Sequence, residues 1–273
     1  MSKVVSLSEA MASIEDGSHV GLTGFAITRN AVAAALELVR AKRRHLRLTQ
    51  VIVGLETDLL VGAGCVDRLV YSGGSLDRFG LVHAVNRAIA TGTLQIEEYS
   101  TLALTLRLAA GSLGLPFVPT RSMLGSSLLD NLRAAGEIVE QNDPFTGSPV
   151  LVMSPVRPDV AIVHADTCDE EGNATVAGPR WSLRETALAA ARVIVTTERV
   201  VLRGTIPPER VVVPGTVVSA VTEVPGGASP TALPGHYDYD RAWLEAHVEA
   251  TKEGGERFRR YLEGMLEARA VHP

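Results

Sequence analysis

The chain of 273 residues is poor in the residue types that mark several specialised classes of protein. It has two cysteines, Cys65 and Cys168, and three lysines, Lys3, Lys42 and Lys252. Two cysteines outside any metal or redox motif exclude a disulfide-rich secreted domain and suggest a reducing compartment. The net charge of −5 argues against a general affinity for nucleic acid.

Long apolar runs are also missing. No stretch reaches the roughly 18 apolar residues that a membrane span requires. The N-terminal segment lacks the charged-then-apolar pattern of a signal peptide. We therefore expect a cytoplasmic protein without a membrane or nucleic-acid partner. Its 46% hydrophobic and 21% charged residues are typical of a globular chain that buries one large core, or one core and an appendage.

Short apolar runs alternate with helical patterns along the chain. The predicted strands are 19–22, 48–53, 68–71, 94–97, 116–119, 150–153, 160–163, 193–196 and 210–213. The predicted helices begin at the N-caps Ser6, Asn30, Ser100 and Ser182, and a further helix spans 80–90. Strands and helices in alternation predict an α/β fold with a doubly wound, mostly parallel sheet.

A Pro/Gly-rich stretch at 225–235 is the predicted boundary between two parts of the chain. It divides an α/β domain, 1–235, from a C-terminal helical arm, 236–273. The arm has too few residues for a core of its own. We therefore expect it to pack on the domain or on a partner.

The segment from Asp16 to Asn30 has the order turn, strand, glycine break and helix start. The break falls at Thr23, Gly24 and Phe25. A strand that feeds a helix N-terminus through a glycine turn leaves backbone N–H groups free, and these suit anions and oxyanions. The three residues are candidate substrate-binding residues, and the alternative is a plain strand-to-helix turn.

Two further features are candidates for substrate binding. Arg29 is a possible carboxylate anchor because a guanidinium binds carboxylates in bidentate fashion, and its alternative is a solvated helix entry. Gly73, Gly74 and Ser75 follow a predicted strand and form a possible second pocket loop, since ligands of such sheets bind at carboxyl strand ends. The alternative for these three residues is an ordinary turn.

Glu98 is a weak catalytic candidate, with Glu97 ranked below it. Both follow a strand-like stretch and precede a capped helix. A carboxylate there is able to act as an acid or a base. Acidic residues near a helix N-terminus are also favourable for electrostatic reasons alone.

Metal and nucleotide motifs are weak. His164, Asp166 and Cys168 alternate as ligands on one strand face would, but a strand that runs into the following turn explains them more simply. Gly62 and Gly64 begin a dinucleotide fingerprint that Asp67, in place of the third glycine, does not complete. We predict no metal site and no permanently bound cofactor.

The N-terminal segment resembles the signature of the family I coenzyme A transferases, alpha subunit type. That signature is an acidic-glycine turn, three apolar residues and Gly-Gly-Phe, of which Gly24 and Phe25 match the end. Thr23 stands for the first glycine, Arg29 for a later glycine and Ala31 for a proline.

Two later stretches carry the same resemblance. Residues 96–129 are similar to the alpha-type subunit of glutaconate CoA-transferase, and residues 164–178 are similar to an aspartate-containing turn of many alpha subunits. The resemblance implies the fold of CoA transferases and sugar-phosphate isomerases.

The resemblance implies a reaction in which CoA moves from an acyl-CoA, the thioester substrate, to a free carboxylic acid. A glutamate on the beta subunit, in a Ser-Glu-Asn-Gly type motif, is the nucleophile. This chain lacks that motif, because Glu171-Gly172-Asn173 has its letters in another order. The chain therefore resembles half of an enzyme, inactive alone, which pairs with a beta subunit in an α2β2 or higher assembly.

Two alternatives stay open at this point. Some members of the fold hydrolyse or cleave CoA thioesters, including ring-cleaving hydrolases. A non-enzymatic ligand-sensing domain is the other alternative. The sequence leaves the acyl group and the residues that contact CoA open.

Overall fold

The computed structural model describes residues 2–134 and 136–270. The strands in these residues are β1 His19–Leu22, β2 Leu46–Thr49, β3 Val66–Tyr71, β4 Gln95–Glu98, β5 Val118–Thr120, β6 Ile138–Asn142, β7 Pro149–Met153, β8 Val160–Asp169, β9 Ala174–Thr175, β10 Arg192–Val201 and β11 Val218–Glu223. The helices are α1 Leu7–Ala12, α2 Val32–Arg40, α3 Leu55–Gly62, α4 His83–Ala90, α5 Thr101–Ser112, α6 Leu128–Ala134, α7 Leu183–Ala189, α8 Arg241–Glu253 and α9 Gly255–Ala270. None of these helices is both long and apolar enough to cross a membrane.

The main sheet has the strand order β11-β10-β8-β1-β2-β3-β4, and β9 pairs with β8 at its side. All pairs along this path are parallel, whereas β9 is antiparallel to its neighbour. The prediction of a mostly parallel α/β sheet is confirmed. The central strand β8 is buried along almost its whole length; its first four residues, 160–163, are an unbroken apolar run, and buried polar residues alternate after them.

A second sheet was not predicted. Strands β5, β7 and β6 form a small antiparallel sheet in that order. The predicted strands at 116–119 and 150–153 therefore belong outside the main sheet, and the expectation of one sheet was wrong here. Leu104 of α5 packs with Ile138, Leu151 and Met153 of this sheet in a separate apolar core.

Helix α2 is shorter than predicted and has a different cap. It begins at Val32 after Ala31, and the Asn30 side chain instead donates to the backbone oxygens of Ala26 and Thr28. The helix ends at Arg40 because Lys42 adopts a left-handed backbone, with φ of 55°. Asn30 as an N-cap was therefore a wrong prediction.

Other predicted boundaries had mixed outcomes. Ser100 Oγ accepts the N–H of Ala103 at 3.2 Å and caps α5 as predicted. Ser182 precedes α7, but its side chain makes no capping hydrogen bond. The predicted strand 210–213 was wrong, because Pro208 starts a 3₁₀ turn there and the final strand is β11. Helix α3 was not predicted.

The arm packs on the helices of the main sheet. Leu244 of α8 and Phe258 and Met265 of α9 belong to the same buried cluster as the main-sheet residues. His247 Nε2 also pairs with Asp58 Oδ2 of α3 at 2.9 Å, and both side chains are fully buried. The division of the chain at residue 235 stays a prediction.

Candidate active site

The loops after β1, β2 and β3 lie at one edge of the main sheet. The three strands are parallel neighbours, so their carboxyl ends face the same way. Gly74 forms a bridge with Val53, and a Cβ on Gly54 would lie 2.1 Å from the Ala26 oxygen. Both glycine loops follow strands, as predicted, and Gly24 and Gly74 lie after carboxyl strand ends that face the same way. Ligands of parallel sheets bind at this edge.

The loop after β1 does not offer free N–H groups at its ends. Glu56 of α3 accepts the N–H of Gly24 through Oε1 at 3.1 Å and the N–H of Ala31 through Oε2 at 2.5 Å. The N–H of Phe25 donates to the Thr28 oxygen at 2.9 Å. The Thr23 hydroxyl donates to the Ile162 oxygen at 3.1 Å. The predicted anion pocket of free backbone donors was wrong, because the protein's own groups occupy it.

Glu56 is fully buried in this position. Desolvation raises the pKa of its carboxyl to about 8, against the hydrogen bonds from Ala31, Gly24 and Gln50. Gln50 Nε2 donates to Glu56 Oε1 and to the Gly24 oxygen, each at 2.8 Å. Because all three partners are donors, these contacts are those of the ionised form, which burial alone disfavours near neutral pH.

Phe25 lies at the outer side of the loop, stacked on Trp181. The two ring centroids are 4.1 Å apart and the ring planes differ by 9°. Ala26 and Trp181 have φ of 50° and 40°, values that non-glycine residues rarely adopt. Positive φ therefore occurs at Trp181 itself and directly after Phe25.

Arg29 is buried, with 1% of its surface exposed. Its guanidinium lies 3.2 Å from Asp166 Oδ2 and donates to the backbone oxygens of His164 and Ala177. Burial lowers the pKa of this guanidinium and the charge of Asp166 opposes that effect. The alternative of a solvated helix entry is wrong. The guanidinium that was predicted to hold a substrate carboxylate holds the protein's own Asp166.

A second polar group lies on the neighbouring strands β8 and β10, beyond the point where β1 ends. Glu198 accepts hydrogen bonds from His164 Nε2 at 2.9 Å, from the Tyr237 hydroxyl at 2.8 Å and from the N–H of Gly226 at 2.8 Å. Burial raises the pKa of Glu198, but these donors outweigh burial and lower it to about 2.

We expect Glu198 to stabilise the fold in a pH-dependent way. Because its pKa falls on folding, its contribution is fully present above the ordinary value of 4.5 and is lost as the pH falls toward 2. The free energy of unfolding of the wild type, minus that of Glu198→Gln, should therefore decrease between pH 5 and pH 2 in urea titrations. A difference that is constant over this range would contradict the assignment.

The loop Gly73–Ser75 and Glu98 lie at the end of β3 and β4. The Tyr71 hydroxyl faces Glu98 Oε2 at 3.5 Å, and burial together with the Glu98 charge raises the pKa of Tyr71 to about 12. Glu98 is partly exposed at this edge, so a substrate bound there is able to reach it.

Glu97 has a different environment. It is buried, with Oε1 at 3.1 Å from Arg47 and 2.6 Å from Arg68, and Oε2 at 3.7 Å from Arg107. The Tyr99 hydroxyl donates to it at 3.0 Å. Three cations and a hydroxyl satisfy this carboxylate, so Glu97 has a structural role on the sheet.

The residues that alternate on β8 have separate partners. His164 pairs with Glu198, Asp166 pairs with Arg29, and Cys168 is a buried free thiol whose pKa burial raises to about 12. Within residues 2–134 and 136–270, no group of three or more His, Cys, Asp or Glu residues is arranged to hold a metal ion.

Sequence reasoning missed three side chains at this edge: Glu56, Trp181 and Glu198. Glu56 belongs to a helix that was not predicted, and no motif surrounds it in the sequence. Trp181 is one of two tryptophans in a chain with 4% aromatic residues, and that scarcity was an available signal. Nothing in the sequence near Glu198 indicates its partners, which come from distant segments.

The comparisons with known proteins agree with this architecture. Residues 4–224 match the family model described as Coenzyme A transferase. The chain is 33% identical over 285 residues to the A subunit of the 3-oxoadipate CoA-transferase of Pseudomonas knackmussii, and the alignment covers 97% of this chain and 100% of that relative. This chain belongs to the coenzyme A transferase family. It is similar to the family's A subunits, and the non-enzymatic alternative is set aside.

Two crystal structures share the whole fold. The glutaconate coenzyme A-transferase of Acidaminococcus fermentans superposes with a TM-score of 0.91 at 28% identity, over 97% of this chain and 89% of that chain. A cysteine-to-serine variant of the decarboxylase AibA/AibB superposes with a TM-score of 0.87 at 35% identity, over 98% of this chain and 100% of that chain. The predicted CoA-transferase-like α/β fold is confirmed.

Proposed function

We propose that this chain is the alpha subunit of a heteromeric enzyme that moves CoA from an acyl-CoA to a free carboxylic acid, and that the partner subunit supplies the nucleophile. The observation that carries the proposal is that three buried or half-buried glutamates near the loops already have partners within this chain. Glu56 is an internal acceptor, Glu97 lies among three arginines, and Glu198 accepts three hydrogen bonds. None of these three is available to form a covalent acyl intermediate.

In the proposed reaction, a glutamate carboxylate of the partner attacks the thioester carbonyl and CoA thiolate leaves, giving a mixed anhydride. The thiolate then attacks the glutamyl carbonyl of the anhydride and releases the first acid, leaving a glutamyl-CoA thioester. The second acid repeats these two steps in reverse and takes the CoA. A negative oxygen develops on the attacked carbonyl in each of these steps, and this subunit forms one wall of the pocket.

The wall consists of the loops at the carboxyl edge. We propose that Phe25 and the loop of Gly73, Gly74 and Ser75 contact the acyl group, with Thr23 and Gly24 behind Phe25. Arg29 supports the loop from within through Asp166. Glu98, partly exposed at the end of β4, is the residue of this chain proposed to exchange protons with the acid.

The proposed acid substrate is a dicarboxylate. The relatives described above are named for 3-oxoadipate and glutaconate, both of which have a second carboxylate. Arg180 is exposed next to Trp181, and its charge acts on the Arg29 guanidinium. A guanidinium at this place suits the second carboxylate of such an acid.

The proposed assembly is α2β2 or higher.

The test is to purify this chain alone and together with its partner subunit, and to assay CoA exchange from succinyl-CoA to 3-oxoadipate and to glutaconate. We expect exchange only from the assembled complex. Borohydride added after acyl-CoA should trap a reduced glutamyl thioester, which mass spectrometry should locate on the partner. Exchange by this chain alone, or a modified glutamate on this chain, would overturn the proposal.

A decarboxylase is the second candidate, because the AibA/AibB structure aligns over the full length of both chains. The same assays distinguish it. Release of carbon dioxide from an acyl-CoA that has a free carboxylate, without exchange or a trapped adduct, would favour decarboxylation. Thioester hydrolysis without exchange would favour the hydrolase alternative.

A further inference from the structure

The loop between β1 and α2 is tied to the start of α3 by a buried set of polar groups. Glu56 accepts from the N–H groups of Gly24 and Ala31, which are the two ends of the loop. Asn30 Oδ1 accepts the N–H of Glu56 at 3.2 Å, and Gln50 donates to both Glu56 and the Gly24 oxygen. We call these five residues the loop anchor.

We propose that Glu56 is a positioning residue of the transfer reaction, whose carboxylate fixes both ends of the β1–α2 loop and so holds the Phe25 ring against Trp181 beside the reacting acyl group. The catalytic part of this inference rests on the proposed function. The structural part, that Glu56 places Phe25, stands on this chain alone.

The backbone of the loop is strained, so the contacts at its two ends determine whether it keeps its conformation. Inside it, Phe25 and Thr28 exchange backbone hydrogen bonds of 2.9 and 2.8 Å and form a tight reversal. Ala26 and Arg29 both have left-handed backbones, with φ of 50° and 55°. Such conformations persist only where surrounding contacts enforce them. The carboxylate of Glu56 supplies contacts at both ends of the strained stretch.

A glutamine side chain does not reproduce the contacts of the ionised carboxylate. Three N–H donors converge on its two oxygens, and a glutamine has one oxygen and an NH₂ group. In Glu56→Gln, the NH₂ group would therefore face an N–H donor. A Cβ placed on Gly24 would lie 2.4 Å from Glu56 Oε1, which shows that the space around the carboxylate is filled. The loop has to move when this acceptor is lost.

Helix α3 offers a matched control in Asp58. Asp58 is as deeply buried as Glu56 and lies two residues later, but it faces the arm. It accepts the N–H of Val85 at 2.9 Å and pairs with His247. Asp58→Asn therefore removes a buried carboxylate from the same helix without touching the loop anchor.

Each of the two tryptophans reports on one of the two variants, Trp181 on Glu56→Gln and Trp243 on Asp58→Asn. Trp181 stacks on Phe25, whereas Trp243 packs edge-on against Tyr261, which in turn contacts His247. This chain, labelled with 5-fluorotryptophan and assembled with an unlabelled partner, should give one ¹⁹F resonance for each. Trp181→Phe assigns the signals. We expect Glu56→Gln to shift or broaden the Trp181 resonance alone, and Asp58→Asn to affect the Trp243 resonance alone.

Kinetics test the catalytic part with succinyl-CoA and 3-oxoadipate. We expect Glu56→Gln to lower kcat by about 10- to 100-fold, because a small misplacement at a site has effects of that size. We expect Asp58→Asn to leave kcat within about twofold of the wild type, since it does not displace the loop. Gln50→Met is a milder variant for use if Glu56→Gln fails to assemble. It removes two hydrogen bonds of the loop anchor and keeps the carboxylate of Glu56. It should show the same shift of the Trp181 resonance.

An unchanged Trp181 resonance in a folded Glu56→Gln or Gln50→Met variant would overturn the structural part. Equal losses of kcat in Glu56→Gln and Asp58→Asn would assign Glu56 to general stability and overturn the catalytic part. A wild-type complex without CoA exchange would overturn the proposed function, and the fluorine signals would still decide whether Glu56 places Phe25.

Discussion

Arg29→Met should lower the free energy of unfolding of this chain by about 3–5 kcal/mol, because it removes the guanidinium from the buried carboxylate of Asp166 and leaves it the His236 imidazole and the Ala177 N–H as partners. Asp166 has 8% of its side chain exposed and lies 3.2 Å from the guanidinium. Urea unfolding followed by circular dichroism measures the change. Arg29→Lys should also destabilise the chain, since one ammonium cannot serve Asp166 and two backbone oxygens in the geometry of the guanidinium.

The double variant Arg29→Met with Asp166→Asn tests the cause of this loss. Removing the stranded charge should recover part of the stability, so the two changes should not be additive. Arg180→Met is the matched control, since Arg180 is exposed on the same side of the site and its loss should cost less than about 0.5 kcal/mol. A small loss in Arg29→Met together with a raised KM for the acid would restore Arg29 as a substrate anchor.

His247→Ala should lower the free energy of unfolding by a similar amount, about 3–5 kcal/mol. The imidazole pairs with Asp58 at 2.9 Å where neither side chain is exposed, so its removal leaves a carboxylate in the core. The pair joins α8 to α3, and its loss should also loosen the arm. Limited proteolysis should then cut the arm of the variant before the rest of the chain.

Glu245→Gln is the control for this variant. Glu245 pairs with Arg241 at 3.1 Å on the exposed side of the same helix. Exposed pairs at this spacing contribute only about 0.3–0.5 kcal/mol. Equal losses in His247→Ala and Glu245→Gln would show that the buried pair does not hold the arm.

Both expected losses follow from one property of this fold, its buried charges. Arg29 and Asp58 are each less than 2% exposed, and each has partners from another segment of the chain. A charge in that position is costly unless its partner is in place. The edge of the sheet is therefore held by a few specific pairs, whereas the exposed ion pairs of α8 and α9 contribute little.

The class of fold was predictable from local patterns. The β-branched runs at 160–163 and 193–196 are short and apolar because parallel strands are buried on both faces, and the structure places them in β8 and β10. Ser100 predicted the start of α5 because its cap depends on neighbouring residues only. Ser182 had the same local pattern, but its backbone, with φ of −96° and ψ of 14°, does not take the extended conformation of an N-cap, and its hydroxyl makes no capping bond.

The sequence by itself determined the parallel α/β fold, the family resemblance and the positions of the glycine loops, because these depend on periodicity, turn chemistry and short motifs. Only the tertiary structure decided what fills the edge of the sheet. Glu56 reaches Gly24 across 32 positions, and Arg29 reaches Asp166 across 137. Pairings of that range arise from the packing of parallel strands, so the predicted anion pocket and carboxylate anchor became internal contacts once the chain had folded.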